Sequence, residues 1–273
     1  MFRASATLRA SVIALSAFAL LATAGTASAK RKKKSKGPTP ACDLKYQPFV
    51  TGTTWTYVYA VPPGASDRPG IKADVPENFT ITVKSVEPKS GSTSITLEES
   101  YREISRTTVL SCDSKEGLLV PIDSFYYAGE LPGALGITIV NPTVTGEMYP
   151  GKSGLKKGLS AYVEVKAELT RAAGGDAKVT HPSAKLEMER QITVGANEEV
   201  EVEHGYYSAR AVEVALSGRL ALDPTPDKSV PLRDGKAMLW FVDNIGLVRA
   251  YNRMEQGWEL ATMTNAAGEP IEF

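Results

Sequence analysis

Residues 237–263 read AMLWFVDNIGLVRAYNRMEQGWELATM, and this stretch decides the fold class. Apolar residues dominate the runs 237–242, 247–251 and 258–263, and each run has the length of a strand. The sequence Asp243-Asn244-Ile245-Gly246 separates the first two runs, and 253–257 separates the last two, as tight turns do. We therefore predict a three-stranded antiparallel meander over these residues.

The same period of two extends outward through most of the chain. Trp55, Tyr57 and Tyr59 alternate with smaller or polar residues, and the alternation returns at 79–83, 163–169, 186–194 and 212–216. No window shows a helical period over several turns. The pattern predicts an all-β protein built on a curved antiparallel sheet that forms an open or incomplete barrel, with a β-sandwich as the alternative.

The middle of the chain has a weaker pattern. Short strands are plausible at 118–122, 124–127 and 136–140. Glycine and proline are dense from about 131 to 158, so we expect loops to dominate that region.

The first 29 residues have the three parts of an export signal. Arg3 and Arg9 supply positive charge, 12–22 is an apolar run broken only by Ser16, and 27–29 (Ala-Ser-Ala) fits a cleavage site. The apolar run is shorter than the roughly 20 residues of a membrane-spanning helix. We predict cleavage after Ala29, no transmembrane segment after cleavage, and a periplasmic or extracellular location in a bacterial envelope. No cysteine stands at the cleavage point, so we do not expect a lipoprotein.

A basic arm follows the signal. It contains six of the 31 basic residues, namely Lys30, Arg31, Lys32, Lys33, Lys34 and Lys36. We expect 30–41 to be a disordered linker and 42–273 to be a single β-rich domain. The arm is either a solvated spacer or an attachment to an anionic surface such as lipid head groups. The remaining chain is acidic, which argues against nucleic acid as a partner.

The chain contains two cysteines, Cys42 and Cys112. In an oxidising compartment two cysteines usually pair, which predicts a disulfide between the start of the domain and a later strand. Closing a loop of about 70 residues is worth roughly 4 kcal/mol in the chain-entropy model. Two free buried thiols are the alternative.

Aromatic residues are the most informative candidates for a binding site. Five of them lie on predicted strands: Trp55, Tyr57, Tyr59, Trp240 and Phe241. In a curved sheet they would either form the core or line an apolar cavity for a lipid or another hydrophobic ligand. We prefer the interpretation that these residues form the core. A role as the wall of a ligand cavity is the alternative.

Two short patterns resemble catalytic motifs. Residues 146–153 fit the phosphate-loop pattern G-x-x-x-x-G-K-S, and Ser153-x-x-Lys156 fits the first motif of the penicillin-binding enzymes. Both need a helix at this point, which Gly154 and Gly158 oppose. We interpret the segment as a surface loop.

The two histidines, His181 and His204, lie in no metal-binding motif. The acidic run 198–203 lacks the spacing of a calcium loop, and alternation places Glu199, Glu201 and Glu203 on one solvent-exposed face. We therefore expect no metal and no cofactor. A hydrolase with either histidine as base is retained as an alternative, because a catalytic triad is assembled in space.

Three segments together resemble a family. They are Tyr46-x-Pro48-x3-Gly52-x2-Trp55-x-Tyr57, the hairpin sequence 201–214 (Glu-Val-x-x-Gly-x-Tyr-x-x-Arg-Ala-x-x-Val), and Trp240-Phe241-Val242-x-x-Ile245-Gly246-Leu247-Val248-Arg249. In this order they resemble a group of exported bacterial β-rich domains of unknown function. The resemblance implies a curved antiparallel sheet similar to the periplasmic lipoprotein-carrier fold, and it supplies no catalytic residues.

The sequence thus predicts an exported, non-enzymatic β domain that binds an apolar ligand or a cell-envelope partner. The alternatives are the exported hydrolase and an envelope structural protein attached through its basic arm.

Overall fold

The alternating apolar residues form strands throughout the computed structural model, which describes residues 44–63, 75–113, 117–131, 137–146, 148–151, 154–171, 184–222, 229–231 and 234–272. In chain order the elements are β1 (Thr54–Ala60), β2 (Asn78–Pro88), β3 (Ser92–Tyr101), β4 (Ile104–Asp113), β5 (Gly117–Leu119), α1 (Phe125–Ala128), β6 (Ile137–Gly146), β7 (Ser160–Arg171), β8 (Ala184–Val202), β9 (Gly205–Leu222), β10 (Ser229–Pro231), β11 (Gly235–Val242), β12 (Gly246–Tyr251) and β13 (Gly257–Thr264).

These strands form one antiparallel sheet. Their order in space is β5-β4-β3-β2-β1-β13-β12-β11-β9-β8-β7-β6, and β10 pairs with β9 beside β11. The two ends of this path, β5 and β6, do not pair with each other in the described residues, so the sheet curves without closing. The predicted open barrel is confirmed, and the two-sheet sandwich is not formed.

The C-terminal meander is confirmed as β11, β12 and β13. Trp240 pairs with Arg249, Phe241 pairs with Leu247, and the register shifts between them as at a β-bulge. At the other end of the meander β13 pairs with β1, which places Trp55 opposite Met263. The first and last strands of the domain are therefore neighbours at the middle of the sheet.

One face of the sheet holds the core. The residues predicted to alternate on β2 and β3 are all buried, including Phe79, Ile81, Ile95 and Leu97. Their polar neighbours point outward because successive side chains on a strand alternate between the two faces. The inner face of the curved sheet therefore encloses the apolar side chains.

A single helical turn, α1, occupies this interior. The strand expected at 124–127 is wrong, because Phe125–Ala128 is helical and all four residues are buried. The turn ends at Gly129, whose φ of 70° lies in the left-handed region and whose N–H donates to the Phe125 carbonyl. One turn is too short to produce a helical period in the sequence.

The glycine- and proline-rich stretch 131–158 contains more strand than expected. β6 runs for ten residues, Ile137–Gly146, and extends the short strand expected at 136–140. A register shift between Val140 and Thr143 accommodates Pro142, which has no N–H to donate to a neighbouring strand. The residues from 154 to 159 contain no helix, so neither catalytic pattern has the helix it requires.

Candidate functional site

The aromatic residues of β1 belong to the core. Trp55 and Tyr57 are fully buried. The Trp55 indole N–H donates to the Ile245 carbonyl at 2.8 Å, and the Tyr57 hydroxyl donates to the Leu247 carbonyl at 2.8 Å. Tyr59 is half-buried with its ring against Trp258. These contacts tie β1 to the turn and strand that follow β11.

Trp240 and Phe241 are neighbours in sequence but lie on opposite faces of the sheet. The Phe241 ring packs edge-on against Tyr46 and Tyr149 in the core. The Trp240 indole N–H instead donates to Glu198 on β8, and the Arg249 guanidinium lies 5.9 Å from the centre of its ring. The five aromatic residues therefore do not form one wall.

The concave face is filled by residues 120–131, which we call the inner segment. Tyr126 in this segment accepts a hydrogen bond from Gln47 at 3.0 Å through its hydroxyl, and its carbonyl accepts one from Tyr149. At its far end, the Gly129 carbonyl accepts a hydrogen bond from Asn252. The inner segment thus contacts the N-terminal part of the domain and the β12–β13 turn.

Arg190 on β8 holds the inner segment from the other side. Its side chain is buried and donates to the Tyr127 carbonyl at 3.0 Å and to the Met148 carbonyl at 2.9 Å. The guanidinium carbon lies 4.5 Å from the centre of the Tyr149 ring, as in a cation–π contact.

Glu99 on β3 binds the beginning of the inner segment's helix. Its carboxylate is fully buried and accepts hydrogen bonds from the Ser124 hydroxyl at 3.1 Å, from the Phe125 N–H at 3.0 Å and from the Thr108 hydroxyl. Burial raises the pKa of Glu99 to about 7, against the opposing effect of these hydrogen bonds. The nearby Asp123 carboxylate raises the pKa further.

An apolar crevice of about 300 Å³ lies where the two ends of the sheet approach each other. Residues of β4 and β5 form one side, β6 forms another, and the start of the inner segment completes the wall. The lining residues are Val109, Ser111, Leu119, Val120, Pro121, Ile122, Asp123, Pro142 and Val144. Seven of these nine side chains are apolar, and the Asp123 carboxylate is paired with Arg106 at 2.6 Å.

A second depression, of about 420 Å³, lies on the outer face of β7, β8, β9 and β11. Its wall includes the polar side chains of Tyr162, Glu189, Gln191 and Lys236. Neither this depression nor the crevice contains any of the five aromatic residues that the sequence suggested as a ligand wall.

The remaining predicted site residues are distributed apart from one another. His204 is half-buried in the β8–β9 turn with its Nδ1 hydrogen-bonded to the Tyr207 hydroxyl, and His181 lies outside the described residues. In the part of the chain that the structure describes, no cluster of histidine, cysteine and acidic residues could hold a metal. Glu199, Glu201 and Glu203 are exposed, as predicted.

Cys112 is fully buried on β4, and no free cysteine is present among the described residues. Cys42 lies outside those residues, so the bridge between the two cysteines stays a prediction. The predicted export signal and the basic arm also lie outside them, so both stay predictions. No helix in the described ranges is both long enough and apolar enough to cross a bilayer.

Sequence reasoning missed Glu99 and Arg190, although both carry a recognisable signal. Glu99 falls in the inner-face series with Ile95, Leu97 and Tyr101, and Arg190 likewise follows Leu186 and Met188. A charged residue at an inward position of a strand is rare and marks a buried polar contact.

No protein-family model matches this chain, and no curated protein matches it. Among solved structures, it is similar to a Bacteroides fragilis protein described as exported and as having a YmcC-like fold, with 14% identity, a TM-score of 0.46, and 82% of this chain and 100% of that chain covered. It is also similar to a Parabacteroides distasonis protein described as a lipoprotein, with 14% identity, a TM-score of 0.51, and 81% of this chain and 100% of that chain covered. At this identity, the second similarity concerns the fold alone.

Proposed function

We propose that this protein is an exported, non-catalytic β domain that binds an apolar ligand in the crevice between β4, β5 and β6. The observation that carries the proposal is the crevice itself, with about 300 Å³ of space and a wall in which seven of nine residues are apolar. Ligand sites in proteins are concave, mostly apolar and begin at about this volume. A short hydrocarbon chain or one fused ring system fits such a space.

The position of the crevice also supports the proposal. The concave face is occupied by the inner segment, whereas the crevice lies between the two ends of the sheet, β5 and β6, which do not pair with each other in the described residues. Val109 on its wall is 52% exposed, which is unusual for an apolar residue in mid-strand. Covering such a side chain with an apolar ligand removes apolar surface from water, which favours binding.

The neutral fluorescent dye N-phenyl-1-naphthylamine tests this proposal, because its emission rises on transfer from water to an apolar site. We expect saturable binding by the mature protein. Val109→Asp should raise the dissociation constant at least about fivefold, because the introduced carboxylate would lose its hydration in the apolar site when the dye binds. The matched control is Ile104→Asp, which changes a similarly exposed apolar residue of the same strand outside the crevice.

Equal weakening by both substitutions would contradict the crevice as the site. So would saturable binding that neither substitution changes.

A further inference from the structure

We propose that the protonation state of Glu99 controls the wall of the crevice, so that the affinity for an apolar ligand depends on pH. The inference rests on the proposed function and concerns the regulation of that same site. It follows from the covalent and hydrogen-bonded path between Glu99 and the residues that line the crevice.

The path is short. Glu99 accepts hydrogen bonds from the Ser124 hydroxyl and the Phe125 N–H, and the preceding residue, Asp123, lines the crevice together with Ile122. Within the inner segment, Ser124 therefore contacts the Glu99 carboxylate, and the residue before it, Asp123, belongs to the wall of the crevice. A shift of Ser124 relative to β3 moves the wall.

The charges around Glu99 make its ionisation consequential. In the β3–β4 register Glu99 stands directly opposite Arg106, which is paired with Asp123 at 2.6 Å. Side chains at such opposite positions lie about 5 Å apart at Cβ. While Glu99 is neutral, Arg106 balances the Asp123 carboxylate. An ionised Glu99 attracts the Arg106 guanidinium and repels the Asp123 carboxylate. The single positive charge of Arg106 then has to balance two negative charges.

The other side chains packed against Glu99 are neutral and do not change their charge in the neutral pH range. Thr108 is its hydrogen-bond donor on β4, and the residue opposite it on β2 is the apolar Ile81. Burial raises the pKa of Tyr126 on α1 far above its usual range, so the phenol stays neutral. Burial also raises the pKa of Glu99 to about 7, so its charge changes near neutral pH.

The direction of the effect follows from these contacts. Below pH 7 Glu99 is mostly protonated, and the inner segment and the crevice keep the geometry described above. Above pH 7 the buried carboxylate is charged and lies beside Asp123, which loosens the inner segment and costs ligand affinity. Couplings between two such sites typically change an affinity by a factor of five or more.

The experiment measures binding of N-phenyl-1-naphthylamine to the mature protein from about pH 5.5 to about pH 8.5, a range centred on the pKa of Glu99. We expect the wild-type dissociation constant to rise about fivefold or more with a midpoint near pH 7. Glu99→Gln, which is neutral at every pH, should remove this dependence. Ser124→Ala removes a donor to the ionised form and should move the midpoint to higher pH.

A readout without ligand comes from NMR spectroscopy of the same proteins. The Phe125 amide reports ionisation of Glu99 directly, and the Ile122 methyl groups report movement of the wall. In the wild type both signals should titrate with one midpoint.

The coupling is overturned if the wild-type affinity does not change with pH, or if the Glu99→Gln variant shows the same pH dependence as the wild type. Either result leaves the crevice as a binding site. The coupling is also overturned if the Ile122 methyl signals do not change with pH while the Phe125 amide reports ionisation of Glu99. This result does not depend on dye binding or on the variants. Absence of dye binding at every pH contradicts the proposed function first, so the two failures can be told apart.

Discussion

The carboxylate of Glu99 on β3 accepts a hydrogen bond from the backbone N–H of Phe125, with 3.0 Å between Oε1 and the nitrogen. The first N–H groups of a helix have no partner inside the helix, and α1 is too short to tolerate their loss. A side chain 26 positions earlier in the chain supplies the acceptor. The helix inside the sheet therefore depends on a tertiary contact.

Glu99 should make the stability of the fold depend on pH. Its pKa is raised from 4.5 to about 7 in the folded state, so the folded protein binds the proton more tightly than the unfolded chain. Protonated Glu99 contributes at most about 3 kcal/mol to the free energy of unfolding. This contribution is complete below pH 4.5 and is lost as pH rises to about 7. Urea unfolding at pH 5 and pH 8 measures this loss.

Glu99→Gln should flatten this dependence, whereas Glu98→Gln on the exposed face of the same strand should leave it unchanged. A wild-type free energy of unfolding that does not fall between the two pH values would refute the assigned role of Glu99.

The two fully buried tryptophans of the central strands should respond differently to replacement by phenylalanine. Trp55 donates its indole N–H to the Ile245 carbonyl, whereas the Trp258 indole N–H has no hydrogen-bond partner among the residues that the structure describes. Both substitutions lose similar volume, but only Trp55→Phe leaves a buried carbonyl unpaired. Trp55→Phe should therefore cost about 1–2 kcal/mol more than Trp258→Phe, as measured by urea unfolding. The reverse order would contradict the contact.

Arg190 should be needed for stability more than an exposed arginine. Arg190→Met removes donors to two buried carbonyls, those of Tyr127 and Met148, and should cost about 2–4 kcal/mol. The control is Arg219→Met on β9, whose side chain is 63% exposed and pairs with Glu187. Exposed pairs of this kind contribute less than about 1 kcal/mol. Similar thermal shifts for the two variants would count against Arg190 as the anchor of the inner segment.

The predicted bridge between Cys42 and Cys112 should stabilise the domain. Reduction should lower the free energy of unfolding by roughly 4 kcal/mol, because the bridge restricts a loop of about 70 residues in the unfolded chain. Thermal unfolding with and without a reducing agent measures the effect. A Cys42→Ser variant should match the reduced protein, and an unmodified wild-type chain in which thiol reagents titrate two cysteines would rule out the bridge.

Much of the sheet was predictable because the information is local. On β2 and β3 the alternation of apolar and polar residues predicts both the strand and the buried face, since side chains on a strand alternate with a period of two. The turn between β11 and β12 was equally accessible, because Asn244 and Gly246 adopt positive φ at residue types that tolerate it.

The sequence by itself therefore determined most of the strands, the turn between β11 and β12 and the all-β class, because these follow from the residues within each segment. Only the tertiary structure decided that β1 pairs with β13, that Phe125–Ala128 is helical, and that an apolar crevice remains beside β6. Each of these depends on groups far apart in the chain, such as Glu99 with Phe125 and Trp55 with Ile245. Trp240 and Phe241 lie on opposite faces because successive side chains on a strand alternate, but only the contacts of Trp240 with Glu198 and of Phe241 with Tyr46 show which of the two faces is the core.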